Sequence, residues 1–474
     1  MLRRVLPAAV AAAAAAMLAF RPIYEPDLWW HLAHGRENAA GHIVRANVFS
    51  FTYPDYRQHF TSWLFDTLTY AAVTAFGATG IQLLQTLLVG LAFWLLYRSC
   101  RVRAPAWSAS AVLVIGFFVI EPRAIPRPHL VSFAAMAACG WLVERAAARR
   151  SAAPLYGAVP IVALWSNLHV ECVFGVLMVA VFAGAELVRP AALTRADAFR
   201  ALGAAAACGL ATIANPYGWG LIRYLYENLS VPGILSIAEL RRPYLPDYRA
   251  FYLYVGLLGV LLVVQPRRIR LWEAMMSLVF ASLGAMHLRE TPLVLLATAP
   301  IAADRLSALE TRGLDRRAIL ITALCAALAV SRIPPRVFFT TFVAGSAAVE
   351  PPQFFSRAAV DFIRASRLEG PVFNSHNLGG YLAWTTYPEV RTFQDSRLQA
   401  YPPEHFRAII DASRSQDAWN ALVSGVDWAV LSVPRPNQLS GAGRFPGSEW
   451  ASVFKDEAIE VVVRRTGKYG GLTR

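Results

Sequence analysis

The residues best equipped for chemistry lie in one short stretch, Tyr24-Glu25-Pro26-Asp27-Leu28-Trp29-Trp30-His31-Leu32-Ala33-His34-Gly35, with two carboxylates, two indoles and two imidazoles. A carboxylate can take a proton from a hydroxyl or hold a cation. Two plainer roles compete. Tandem Trp at a membrane boundary is an interfacial anchor, and acids at a helix start are caps. An anchor has no need of Glu25 and Asp27. His31 and His34 are three apart, and Asp27 lies four residues before His31, so one helix face can carry all three. A divalent metal is therefore a conceivable cofactor here, while the metal ligands themselves are unknown.

Four further polar clusters interrupt apolar sequence: Pro122-Arg123-Ala124-Ile125-Pro126-Arg127-Pro128-His129; Trp165-Ser166-Asn167-Leu168-His169-Val170-Glu171; Asn215-Pro216-Tyr217-Gly218, with Glu239-Leu240-Arg241-Arg242-Pro243 after it; and His287-Leu288-Arg289-Glu290-Thr291-Pro292. Polar residues beside membrane spans are costly and are candidates for function. Each also has a local reading. Asn215 can close a turn, Asn167 and His169 can satisfy helix ends, and Glu290 can pair with Arg289. The chain has no Gly-x-Ser-x-Gly elbow, no phosphate-cradling Gly loop and no His-Glu-x-x-His motif.

The elements that must position these residues are set by composition. The 474 residues are 56% hydrophobic and 16% charged, with mean hydropathy +0.41, so a polytopic membrane protein is expected. About 11 spans are expected, at 5–20, 80–97, 106–120, 129–146, 155–170, 171–188, 201–214, 251–264, 271–286, 292–303 and 318–331, with 62–76 as an interfacial helix. The Val5–Phe20 run follows Arg3 and Arg4 but lacks a small-residue cleavage site, so it reads as a retained span.

The net charge of +14 is not a nucleic-acid footprint, because Arg collects in alternate gaps between apolar runs. That alternation predicts a cytoplasmic N-terminus. The loop 21–65 and everything after about 332 then fall on the periplasmic side of a bacterial inner membrane. Arg123, Arg127, Arg241, Arg242 and Arg289 come out on the side where the rule does not favour them, and as a set they fit an anionic ligand such as a lipid phosphate. The five cysteines, Cys100, Cys139, Cys172, Cys208 and Cys325, fall in or beside spans and form no disulfide framework or metal spacing.

Beyond Pro334-Pro335 the pattern changes. Short strands are expected at Pro371–Asn374, Val390–Phe393, Trp428–Ser432, Ser452–Phe454 and Ile459–Arg464, with helices at Ser356–Arg367, 378–387, 403–413 and 416–424. The expected architecture is mainly α: a transmembrane helical bundle over 1–334 that includes the loop 21–65, followed by a small periplasmic α/β domain over 351–474. Asp395 and Arg397 follow the Val390–Phe393 strand, at the end where α/β domains place ligands; an internal ion pair tied to Tyr401 is the alternative.

Four runs carry a resemblance: Glu-Pro-Asp-Leu-Trp-Trp-His-Leu-Ala-His-Gly at 25–35, Trp-Ser-Asn-Leu-His at 165–169, Asn-Pro-Tyr-Gly at 215–218, and the Gly-Gly-Tyr-Leu-Ala-Trp to Asp-Ser-Arg stretch at 379–397. They resemble bacterial glycosyltransferase-like membrane proteins, whose organisation is similar to the GT-C superfamily of protein O-mannosyltransferases, aminoarabinose transferases and oligosaccharyltransferases. The close group usually has Asp-Gly-Arg where this chain has Asp395-Ser396-Arg397. The resemblance implies that the first outer loop carries the catalytic or metal-binding acid, which places that role on Asp27 with Glu25 second.

The expected activity is transfer of a sugar from a polyprenyl-phosphate-linked donor to a glycan, lipid or protein acceptor at the membrane lipid, with no nucleic-acid partner. The expected substrate-binding residues are His31, Arg123, Arg127, Asn167, His169, Asn215, Glu239, Arg289, Asp395, Arg397 and Tyr401. A transporter or flippase of a lipid-linked substrate and a non-catalytic envelope-assembly scaffold are the alternatives.

Overall fold

The computed structural model describes residues 25–57, 61–230, 240–265, 269–309, 355–433 and 445–473. The spans expected at 5–20 and 318–331, and Glu239, lie outside the described residues. By internal contacts the chain forms two compact units. One comprises Met1–Arg21 and Gln82–Phe339; the other comprises Pro22–Ile81 and Thr340–Arg474.

The second unit begins with α1 (Pro26–Ala39) and α2 (Trp63–Phe76). Helix α1 starts where it does because Glu25 is its N-cap and accepts a hydrogen bond from the Asp27 amide at 3.2 Å, while Pro26 supplies a helical φ at the first position. Residues Leu28 to Gly35 are all buried. Helix α2 crosses α1 at Gly35, where a Cβ would sit 2.2 Å from the Asp66 carbonyl oxygen, so only glycine permits this approach.

The helical unit runs through α3 (Ala78–Cys100), α4 (Ala106–Ile120), α5 (His129–Arg149), α6 (Ala158–Trp165), α7 (Cys172–Val188), α8 (Arg195–Ala211), α9 (Gly220–Ser230), α10 (Arg249–Val264), α11 (Leu271–Met286) and α12 (Thr291–Ser307). Three helical stretches, Ala78–Cys100, Ala106–Arg123 and His129–Arg149, are long and apolar enough to cross a membrane. Others of the expected spans are shorter apolar helices, including Cys172–Val188, Arg249–Val264 and Leu271–Met286. The chain thus reads as a membrane protein, mainly helical, with fewer full-length spans among the described residues than the eleven expected. Two of the arginines that mark the expected cytoplasmic side are also structural. Arg103 bonds Glu144 and Glu273, and Arg305 bonds Glu273, so helices α5, α11 and α12 and the turn after α3 are cross-linked by buried charge.

The C-terminal part of the second unit follows the expected alternation closely. It contains α13 (Arg357–Ala365), β1 (Gly370–Asn374), α14 (Gly379–Thr386), β2 (Val390–Thr392), α15 (Pro403–Arg414), α16 (Gln416–Leu422), β3 (Trp428–Ser432), β4 (Trp450–Lys455) and β5 (Ile459–Arg464). The sheet order is β2-β1-β3-β5-β4, with β1 parallel to β2 and β3, and β5 antiparallel to β3 and β4.

The first loop packs with this sheet, whereas the boundary expected from sequence kept it with the helical part. The Phe51 amide donates to the Thr392 carbonyl at 3.1 Å, and the Thr392 amide donates to the Phe49 carbonyl at 3.0 Å. The loop therefore covers the β2 edge, satisfying main-chain groups that an open edge would leave unpaired. Trp29 completes the joint core, edge-on to Phe355 at 5.1 Å and to Tyr381 at 5.0 Å. Trp29 and Trp30 are 3% and 7% exposed, Trp29 within this core and Trp30 against His31 and His34, so both indoles are buried and are not held out as an interfacial anchor.

Candidate functional site

Asp27 sits in the first turn of α1, half-buried. Its carboxylate does not cap the helix, because Glu25 takes that role. Instead Asp27 Oδ1 accepts a hydrogen bond from the Ser396 hydroxyl. Ser396 follows β2, at the carboxyl end of the parallel strands.

Two adjacent glycines bring these side chains together. A Cβ on Gly379 would meet the Gln394 carbonyl oxygen at 2.0 Å; one on Gly380 would meet the Pro26 carbonyl oxygen and the Trp30 amide nitrogen, both at 3.2 Å. Helix α14 thus presses on the 394–395 backbone with one glycine and on the start of α1 with the next. His376, in the turn after β1, is also close enough to be influenced by Asp27 and Asp395. Burial lowers its pKa, and those two carboxylates act against the shift.

Behind Asp27 lies a buried charged network. Arg397, 1% exposed, donates through Nε to Asp395 Oδ1 at 2.8 Å, through Nη2 to Asn47 Oδ1 at 2.8 Å, and through Nη1 to His34 Nε2 at 2.9 Å. A guanidinium only donates, so His34 Nε2 is an acceptor and the ring proton is on Nδ1, which lies 3.4 Å from Asp66 Oδ2. His31 Nδ1 is 2.6 Å from Asp66 Oδ1, which also accepts from the Ser62 hydroxyl at 3.1 Å. The Tyr401 hydroxyl accepts from the Asp395 amide at 3.0 Å and donates to Asp395 Oδ2 at 3.2 Å. The Asp395-Arg397-Tyr401 arrangement is therefore the internal ion pair that fixes its own loop, and both α1 histidines are turned to Asp66.

The electrostatics follow burial. Burial would raise the Asp66 and Asp395 carboxyls, but His31 beside the first and Arg397 beside the second overturn that and hold both below the usual carboxylate range. Burial, helped by Arg397, lowers His34 to about 4, and burial lowers His405 to about 4. A histidine held down in the fold binds fewer protons than in the unfolded chain, so its stabilising contribution is full above the unfolded value near 6.5 and is lost as pH falls. The thermal midpoint of the purified protein is therefore expected to drop between pH 6.5 and about 4, with a further loss below the ordinary Asp range as Asp66 and Asp395 protonate. The His34→Gln variant should show a shallower slope in the upper window. An unchanged slope would show that His34 does not titrate across unfolding.

A metal fits this unit poorly. Among the described residues no group of three or more His, Cys, Asp or Glu side chains is placed to hold an ion. Asp27 faces a hydroxyl donor, and the two histidines of α1 face Asp66.

The helical unit brings three of its polar clusters into one. Arg289 donates to Glu290 at 2.8 Å and lies 3.4 Å from Glu171 Oε1; His169 Nδ1 lies 3.3 Å from Glu171 Oε2 and 2.8 Å from the Ser132 hydroxyl. Arg123 and His129 act electrostatically on these acids. Burial and the neighbouring Glu171 push Glu290 up. Arg123 is buried, Arg127 is half-buried, and the His129 ring bonds the Arg123 carbonyl at 2.6 Å. Asn167 bonds the Ala163 and Ala214 carbonyls at 2.9 and 2.7 Å, and Asn215 bonds Thr212 O and the Tyr217 amide at 2.7 and 2.9 Å. Both thus tie backbone at helix ends.

Ser396, Asn47, Asp66 and His376 were not among the expected site residues. Asp66 had a signal, a charge inside the apolar 62–76 run. Ser396 lay inside the quoted Asp-Ser-Arg run. Asn47 and His376 had none.

No family model and no curated protein matches the chain by sequence. Solved structures do match in shape. Over 98% of both chains it is similar to ArnT from Cupriavidus metallidurans bound to undecaprenyl phosphate, with a TM-score of 0.58 at 13% identity. Over 91% of this chain and 70% of the other it is similar to the archaeal oligosaccharyltransferase AglB from Archaeoglobus fulgidus, in complex with an inhibitory peptide and a dolichol-phosphate, with a TM-score of 0.61 at 11% identity. An Archaeoglobus fulgidus oligosaccharyltransferase tethered with an acceptor peptide matches over 91% of this chain and 69% of the other, with a TM-score of 0.57 at 12% identity. The chain has a GT-C-like fold.

Proposed function

We propose that this protein is an inner-membrane glycosyltransferase that moves a sugar from a polyprenyl-phosphate-linked donor to a periplasmic or lipid-linked acceptor. The observation that supports the reading most is the likeness, over nearly the full length of both chains, to a structure bound to undecaprenyl phosphate. Asp27 is the proposed base. The Ser396 hydroxyl donates to its Oδ1, and the carboxylate takes the proton from the acceptor hydroxyl. The acceptor oxygen then bonds to the anomeric carbon with inversion, the bond from that carbon to the phosphate oxygen breaks, and polyprenyl phosphate leaves. Glu25 supports Asp27 by holding its amide. In the helical unit, Arg123, Arg127 and Arg289 are the proposed cations for the phosphate of the lipid donor, and Arg289 reaches that role already braced by Glu171 and Glu290. No step is routed through a metal.

The test is release of sugar from a polyprenyl-phosphate-sugar by the purified protein in lipid nanodiscs. Release that depends on an added acceptor is expected; binding of the lipid without release would move the reading to a transporter or scaffold. The same proposal requires the C-terminal domain to be periplasmic. A C-terminal alkaline phosphatase fusion should be active and a C-terminal green fluorescent protein fusion dark; the opposite pattern would reverse the orientation inferred from the Arg-rich gaps.

A further inference from the structure

We infer that Ser396, in the C-terminal segment, is a positioning residue for the Asp27 carboxylate, so that the proposed base is a composite of the first loop and the α/β segment. This inference rests on the functional reading above. The geometry gives the α/β segment a direct hand in the reacting group.

Three observations carry the inference. The first is the bond itself: the Ser396 hydroxyl donates to Asp27 Oδ1, and both residues are half-buried, so the carboxylate is ordered while remaining within reach of a substrate. An Asp carboxylate rotates about two side-chain torsions, and a hydrogen bond to one oxygen narrows where the other points.

The second is the rigidity of the loop that carries the hydroxyl. On either side of Ser396, Asp395 and Arg397 are locked together, with the Arg397 amide on Asp395 Oδ1 at 2.9 Å. The Leu398 amide returns to the Ser396 carbonyl at 3.0 Å, and the Asn47 side chain holds the Ala400 carbonyl at 3.0 Å. The buried ion pair thus acts at one remove, holding Ser396 in place.

The third is the division of labour at the start of α1. Glu25 caps the helix, so the Asp27 carboxylate is not needed there. Its protein contact with Ser396 is one that a helix start does not call for.

The experiment compares wild type with Ser396→Ala, Ser396→Thr, Asp27→Asn and the double variant Asp27→Asn/Ser396→Ala. It uses the full-length protein in nanodiscs, with a polyprenyl-phosphate-sugar as donor. The thermal midpoint of each variant is measured alongside. A hydrogen bond to a charged group is worth enough to set an expected loss of about tenfold in kcat for Ser396→Ala, with KM changed less than about twofold. Ser396→Thr, which keeps the hydroxyl, should recover most of the rate. In the Asp27→Asn background, Ser396→Ala should cost nothing more, because a residue that acts only through Asp27 has nothing left to position. If Ser396→Ala does not accumulate, Ser396→Cys keeps the size with a much weaker donor and carries the same expectation.

Wild-type turnover that Asp27→Asn abolishes and Ser396→Ala leaves unchanged would overturn the positioning role while leaving the functional reading intact. Equal losses from Ser396→Ala in the wild-type and Asp27→Asn backgrounds would also overturn it. A wild-type protein that releases no sugar would overturn the functional reading, and this inference with it.

Discussion

Asp27→Asn is expected to leave the protein folded and inserted and to reduce sugar transfer by roughly 100-fold or more, the scale of a lost general base. The local structure explains why the two effects separate. The helix start does not depend on this side chain, because Glu25 is the N-cap and accepts the Asp27 amide. Asparagine retains an oxygen to accept the Ser396 hydroxyl, so the position of the side chain is retained as well. What is lost is the ability to accept a proton at neutral pH.

Glu25→Gln should do much less, since the amide oxygen of Gln can still accept the hydrogen bond that Glu25 now accepts. Turnover and thermal midpoint measured on the same preparations decide the matter. Near-normal turnover in Asp27→Asn would remove the catalytic assignment. A collapsed midpoint would show that the carboxylate holds the fold.

Arg397→Met is expected to be the most damaging single change in the α/β unit. It strands Asp395 with no counter-charge where neither group has any solvent contact, and it leaves the Asn47 side chain and His34 Nε2 without their donor. Removing one partner of a buried ion pair costs about 3–5 kcal/mol, against a total stability of about 5–15 kcal/mol for a typical domain. Asp395→Leu should be similarly damaging, because Arg397 would then be the stranded charge. The Asp395→Leu/Arg397→Met double variant should cost less than the two single costs added together, since neither charge is left alone. Thermal midpoints of the four proteins form the cycle. Additive costs would show that the two side chains contribute independently, and a stable but inactive Arg397→Met protein would return Arg397 to the list of substrate contacts.

These two predictions divide residues that the sequence placed in one candidate set. Asp27 stands out as an acid that an interfacial anchor does not need, and Arg397 as a charge after a strand, at the end where α/β domains place ligands. That reasoning finds charges that have partners as readily as charges that have substrates, because burial raises the cost in both cases. Exposure separates them. Asp27 is half-buried, whereas Arg397 is enclosed and engaged by Asp395, Asn47 and His34. The same holds in the helical unit, where Asn167 and Asn215 are engaged by backbone groups at helix ends and Arg289 is braced by two acids.

The elements of the α/β segment were legible to within a few residues, because each strand and helix there announces itself by a local period of apolar residues and by turn chemistry at its ends. The apolar character of the helical part was legible from composition, and the GT-C-like organisation from four short runs. The indoles were misjudged by the same local logic. Tandem Trp beside a span reads as an anchor, yet Trp29 and Trp30 are buried, and what Trp29 packs on, Phe355 and Tyr381, lies more than 300 residues further along the chain.

By itself the sequence determined which residues could do chemistry, the acid at position 27 foremost, and the order of helices and strands. Both depend on side-chain type and on patterns a few residues long. Only the tertiary structure decided that the first loop pairs with the edge of β2, that Gly379 and Gly380 let α14 bring the loop after β2 against the start of α1, and that Ser396 therefore reaches Asp27. Contacts between residues separated by some 370 positions arise from close packing and backbone hydrogen bonding across the whole unit, and no local period in a single chain encodes which distant partner a side chain will meet.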